Sequence, residues 1–214
     1  MMMRKTLTTA LTAIVAMFAF TAVATAATIV DDDIGHFLKG TNSADTINGN
    51  GGDDKINAKR GADTVDAGDG ADRVFAGRGP DSVIGGADDD VLHGGFGDDV
   101  QHGGSGNDTI YANRGRDESW GDEGNDTLWA LARGDVHSRH DHRGDTLHGG
   151  DGDDTFRTRD GERDVIDCGP GEDTAILDWK DVIIDASSTD SGGSCEHVFR
   201  KGRAARDTQE VANP

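Results

Sequence analysis

The chain is poor in cysteine, with two, poor in tyrosine, with one, and poor in aromatic side chains generally, at 5%. Two cysteines permit one disulfide and no more. Few rings, together with 34% apolar residues overall, leave too little material for a compact oily core in 214 residues, so something else must hold the fold. Basic residues are scarce as well. Lys and Arg number 21 against 41 Asp and Glu, and the net charge of −20 argues against nucleic acid as a partner. Glutamate is itself rare, six of the 41, which leaves 35 Asp, a residue of turns and hard-cation sites rather than of helices.

Long apolar runs are missing except at the start, where residues 7–23 follow Arg4 and Lys5 and lead into Ala24-Thr25-Ala26. A basic flank, an apolar stretch and an A-x-A site describe a signal peptide over residues 1–26, cleaved after Ala26. Asp31, Asp32 and Asp33 directly downstream suit cleavage better than a retained membrane anchor. Loss of Arg4 and Lys5 takes the charge from −20 to −22. The expectation is a secreted, extracellular chain in an oxidising medium, with no stable membrane insertion once the leader is gone.

What the chain has in abundance is a nine-residue repeat. Residues 85–111 read GGADDDVLH, GGFGDDVQH, GGSGNDTIY, with glycine in the first places, Asp in the sixth and usually an apolar residue in the eighth. Asp recurs in phase at 45, 54, 63, 72, 81, 90, 99, 108, 117, 126 and 135, then after one-residue slips at 145, 154, 164 and 173. Glycine supplies the positive φ of a tight turn, and a short strand follows. This period predicts an all-β chain, a parallel β-roll or β-solenoid of 18-residue coils, in which alternate repeats line two opposed sheets. Read eighteen apart, one inward column is Ile56, Val74, Leu92, Ile110, Leu128 and, past the slip, Leu147. The other is Ile47, Val65 and Val83, then the polar Gln101, Ser119 and His137, which must pair with one another or be wet. Residues 27–39 read as an N-terminal cap, 40–176 as the roll, 177–200 as a C-terminal cap and 201–214 as a disordered tail. Cys168 and Cys195 flank the closing segment and are expected to pair; closing a loop of 27 residues is worth roughly 3–4 kcal/mol.

Over residues 40–176 these repeats resemble the hemolysin-type (RTX) calcium-binding nonapeptide, GGxGxDxUx with U a large apolar residue. The resemblance implies several Ca²⁺ ions lying between stacked loops, held by Asp carboxylates and backbone carbonyls of the glycine-rich turns. An all-oxygen donor set suits that ion. One edge of loops ends at Asp54, Asp72, Asp90, Asp108 and Asp126, contains no Lys or Arg, and has Gly51, Gly68, Gly70, Gly86, Gly104 and Gly106 in its turns; it is the expected metal edge. The opposite edge ends at Asp45, Asp63, Asp81, Asp99, Asp117 and Asp135 and carries Lys59, Arg60, Arg78, Arg114, Arg116 and Arg133. Those cations either replace calcium as fixed internal charges or lie as solvated surface groups. Asp99 and Asp154, on or near that second edge, are reserve metal ligands. Without cations the stacked Asp columns repel and the short strands bury little, so calcium is expected to drive folding after export.

Three further features remain. The outward ninth position forms a column of Asn57, Phe75, His93, Tyr111, Trp129 and His148, either a self-stacking ladder or a platform on which Phe75, His93, Tyr111 and Trp129 meet a polysaccharide or cell-surface partner. His137, His140 and His142 sit at the register slip, as a solvated bulge or a zinc or copper site. No catalytic constellation stands out: HExxH and GxSxG are absent, and Asp190-Ser191-Gly192-Gly193 has no matching His and Asp arrangement. The expectation is a non-enzymatic, calcium-binding structural or surface-interaction module.

Overall fold

The computed structural model describes residues 25–130, 144–184 and 195–201. The body of the leader, the histidine cluster, Asp135, Arg133, the Asp190 stretch and residues 202–214 lie outside the described residues.

Each repeat follows the same local logic. In the strand Thr109–Arg114, Ile110 points inward, Tyr111 outward and Ala112 inward again, because side chains alternate along an extended backbone. The chain then bends through residues of positive φ, Asn113 (73°) and Gly115 (152°), and begins the next strand on the opposite wall. Successive strands therefore alternate between two sheets. Among the described residues nine strands, from Thr28–Val30 to Val182–Ile183, make one sheet, and nine, from Phe37–Lys39 to His197–Arg200, make the other. All pairings are parallel.

Between residues 28 and 129 partners are eighteen residues apart, so like residues stack. Ile56 pairs with Val74, Val74 with Leu92, Leu92 with Ile110 and Ile110 with Leu128. All five are fully buried. The second inward residue of a strand is small, as at Ala58, Ala67, Ala76 and Ala112, which keeps the two walls close. The core is thus a thin double row of apolar side chains, matching the low apolar content.

The eighteen-residue spacing ends after residue 129, and its first and largest change corrects the column reading. Ser119 pairs directly with Leu147 and Leu128 with Phe156, a separation of 28 rather than 18. Leu147 therefore belongs to the Ile47 sheet, not to the Ile56 sheet, whose row continues through Phe156 and Ala175. Membership alternates with every repeat, so a jump of ten residues carries everything downstream to the wall opposite the one a one-residue slip implies. Among the described residues the polar stretch of the Ile47 sheet is accordingly Gln101 and Ser119, joined by the Ser119 hydroxyl donating to Gln101 Oε1 at 3.3 Å; Leu147 takes the place given to His137. The terminal segments continue the stack as strands. Leu38 enters the core while Phe37 stays exposed, and at the other end Cys168 and Cys195 form a disulfide with Cα atoms 5.5 Å apart.

Candidate metal centres at the loop edges

Each coil turns twice, once on each edge of the roll, and the sixth-place Asp ends each turn. These residues are buried: Asp90, Asp99, Asp108 and Asp126 each retain 1% of their surface. They form ladders. The Asp54 N–H donates to Asp72 Oδ1 at 2.6 Å, Asp72 to Asp90, Asp90 to Asp108 and Asp108 to Asp126 at 2.7 Å each, then Asp126 to Asp154 and Asp154 to Asp173 at 2.8 Å. On the second edge Asp45 donates to Asp63, Asp63 to Asp81, Asp81 to Asp99, Asp99 to Asp117, Asp117 to Asp145 and Asp145 to Asp164. Asp154 is thus a member of the first edge, which corrects its placement near the second, and Asp145 fills the position given to Asp135.

In most of these carboxylates one oxygen is used by the ladder and the other is not. Oδ2 of Asp54, Asp72, Asp90, Asp108, Asp126 and Asp154, and equally of Asp63, Asp81 and Asp99, is buried without a hydrogen-bond partner. A row of such atoms is costly, since a buried carboxylate oxygen loses its water. The electrostatics agree. Burial pushes Asp90 up to about 8 against the pull of the Asp72 N–H, with the Asp108, Asp72 and Asp88 charges adding to the rise. Burial likewise raises Asp99, Asp108 and Asp154 to about 7 and Asp72, Asp81 and Asp126 to about 6, each opposed by the N–H of the preceding rung and aided by neighbouring carboxylates.

The first place of the turn separates the edges. A Cβ on Gly103 would lie 2.2 Å from Asp108 Oδ2 and 2.6 Å from the Gly121 carbonyl oxygen. Gly49, Gly85, Gly121 and Gly149 stand in the same relation to Asp54, Asp90, Asp126 and Asp154. A free carboxylate oxygen and a carbonyl oxygen of the next coil thus converge on a cradle that only glycine leaves open. On the first edge Ala67 fills it beside Asp72. On the second edge Ala58, Ala76 and Ala112 fill it, and of the turns ending at Asp63, Asp81, Asp99 and Asp117 only that ending at Asp99, with Gly94, keeps it. The donor set of carboxylate and carbonyl oxygens fits a hard divalent cation and lacks the soft or imidazole ligands a transition metal prefers.

Of the other expected metal residues, Gly68, Gly70, Gly86, Gly104 and Gly106 take the positive φ of the turns, while Gly51 bridges to Asp69 beside the first coil. Of the second-edge cations, Lys59 acts on the ladder at Asp45, whose ionised form its charge favours. Arg78 and Arg114 hold their guanidinium carbons 5.2 and 4.8 Å from the centroid of the Phe96 ring between them, and Lys59 donates to the Gly40 carbonyl. The free Oδ2 atoms of Asp63, Asp81 and Asp99 have no guanidinium partner.

The outer rings divide between two faces. Phe75, His93 and Tyr111 stack at centroid distances of 4.7 and 4.5 Å with planes within 5°, and Trp129 follows at 5.8 Å. His148 is not in this column; Arg157 takes its place, 4.9 Å over Trp129. His148 instead stacks on Trp120, and Trp120 on His102, on the other sheet. Reading the ninth place of the alternate repeats would have found His102 and Trp120. In both columns the rings cover one another's faces and present edges outward. The Asp31, Asp32 and His36 group at the N-terminal end brings His36 Nδ1 to 3.0 Å from Oδ2 of the half-buried Asp31, with Asp32 and His36 exposed.

The chain matches the family model described as the RTX calcium-binding nonapeptide repeat in four copies, over residues 37–65, 66–101, 102–128 and 143–175, more than half its length. No curated protein matches it.

Proposed function

The chain belongs to the RTX calcium-binding nonapeptide repeat family, and from that premise we propose that it is an exported calcium-dependent folding module whose ions are held chiefly on the first loop edge. Asp54, Asp90, Asp108, Asp126 and Asp154 would hold them through Oδ2, with carbonyl oxygens of the next coil, and Asp72 would contribute more weakly because Ala67 occupies its cradle. Asp99 is the second-edge residue with the same arrangement. Bound calcium would supply the positive charge that the buried carboxylates lack.

The observation that carries this reading is the row of buried Oδ2 atoms without partners, set in glycine cradles. The residues themselves do the rest: each Asp Oδ1 ties its turn to the preceding coil, so ligands of neighbouring sites are fixed by the same ladder. Binding is therefore coupled along the stack. Proteins with these repeats are typically secreted, which supports export, and the residue pattern of positions 1–26 supports a cleaved leader. The ring columns act here as ladders that stiffen the sheets, because their faces are spent on one another, so we do not assign a polysaccharide to Phe75, His93, Tyr111 and Trp129.

Isothermal calcium titration of the chain from Ala27 onward, followed in parallel by far-ultraviolet circular dichroism, tests the proposal. Stoichiometric binding of several ions with a gain of β signal is expected. Absence of binding at millimolar calcium overturns it.

A further inference from the structure

The second-edge ladder has a beginning, and its first donor is the backbone nitrogen of Ala27. Ala27 N donates to Asp45 Oδ1 at 2.6 Å, in the position that an Asp N–H holds in every later rung. Asp45 is 2% exposed and, unlike Asp63, Asp81 and Asp99 of this edge, has both oxygens satisfied: Thr41 Oγ1 also donates to Oδ1 at 2.9 Å and the Thr41 N–H to Oδ2 at 2.5 Å. Burial opposes ionisation of Asp45, yet the Thr41 and Ala27 donors and the nearby Lys59 hold it below the ordinary range, where the other shifted ladder carboxylates are raised. Asp45 is thus the ladder residue best able to carry a full negative charge without a metal ion. The strand Thr28–Val30 begins at the next residue, and Thr25 and Ala26 are exposed.

We propose that the cleavage point after Ala26 is set so that the new α-amino group of Ala27 becomes the first rung of the ladder. This rests on the leader reading above. Hydrolysis of the Ala26–Ala27 peptide bond consumes one water, leaving a carboxylate on Ala26 and an ammonium on Ala27. The uncleaved chain offers Asp45 a neutral amide N–H. The mature chain offers a cation at the same atom, turning a neutral donor into a charge-assisted bond and placing a positive charge at the head of a column of carboxylates. Processing would then complete the N-terminal coil. Cleavage one residue later, before Thr28, would remove the rung.

Three chains in saturating calcium test it: one starting at Ala27, one retaining Ala24–Thr25–Ala26, and one starting at Thr28, each with Asp45 and with Asp45→Asn. The Ala27 chain is expected to melt roughly 2–4 °C above the extended chain, and the gap should close in the Asp45→Asn pair, which keeps the Oδ1 acceptor but not its charge. Equal melting of the first two chains, or a gap that survives Asp45→Asn, overturns the proposal. N-terminal sequencing of exported protein tests the leader separately, since a different start would sink the processing assignment whatever the melting data say.

Discussion

The two loop edges are built on the same ladder and differ in what surrounds it. On the first edge, further carboxylates crowd the column: Asp53 and Asp88 add to the rise at Asp72, Asp89 and Asp122 at Asp108 and Asp126, and Asp153 at Asp154. On the second edge the turns carry Lys59, Arg78 and Arg114, and three of the four turns ending at Asp63, Asp81, Asp99 and Asp117 have alanine where the first edge has glycine. The lesson is that a sixth-place Asp is not by itself a site. The free oxygen exists on both edges, but open cradles and concentrated negative charge coincide on the first.

Chelation should have the largest effect on this comparison, because it removes the cation from both edges at once. Excess chelator is expected to abolish the cooperative unfolding transition and most of the β signal; an unchanged circular dichroism spectrum would refute calcium-coupled folding. The sign of the pH response follows from the raised carboxyls. Asp90 titrates at about 8 in the fold against an ordinary 3.8, so the folded state binds more protons than the unfolded one, and metal-free stability is fully present below about pH 4 and lost as pH rises through about 8. Chelated protein should therefore regain β signal on acidification from pH 8 to pH 4.5. A metal-free chain that instead folds better as pH rises would contradict the buried, repelling columns.

Next in size is the exchange of one methyl between edges. Gly103→Ala should cost about 1–3 kcal/mol by overpacking the first-edge cradle and weaken calcium binding, while Ala76→Gly on the second edge should cost about 0.5–1 kcal/mol with binding unchanged; equal losses of affinity would erase the distinction. Asp90→Asn or Asp108→Asn should raise the calcium midpoint on the order of tenfold, and Asp63→Asn or Asp81→Asn by far less, as read by titration calorimetry. Smallest is Phe96→Ala, which removes the ring between Arg78 and Arg114 and should lower stability by about 0.5–1 kcal/mol while leaving calcium stoichiometry intact. A lost ion there would mean that the arginine edge takes part in binding.

Much of this was legible in the residues. The nine-residue phase of Asp, glycine and apolar positions placed Ile56, Val74, Leu92, Ile110 and Leu128 in one row and assigned Asp90 and Asp108 to one edge and Asp99 to the other, because a stack of identical coils turns linear spacing directly into contact. The Cys168–Cys195 pairing was legible for the simpler reason that no other partner existed. The failures cluster after residue 130. Leu147, His148 and Asp154 were all assigned across the roll from where they lie, by one error in counting repeats. Sequence spacing cannot reveal how many residues the stack skips, since the test is whether Ser119 meets Leu147 in space.

The sequence by itself determined the period, the alternation of inward and outward side chains, the acidic character of one edge and the basic character of the other, since each is a property of residue type at a fixed place in the repeat. The tertiary structure decided which of two carboxylate oxygens stays free, because that depends on the N–H of the coil before. It also decided that the rings face one another rather than the solvent, and that Ala27 heads a ladder of aspartates. All three arise only when a neighbour eighteen residues away is brought within hydrogen-bonding or stacking distance.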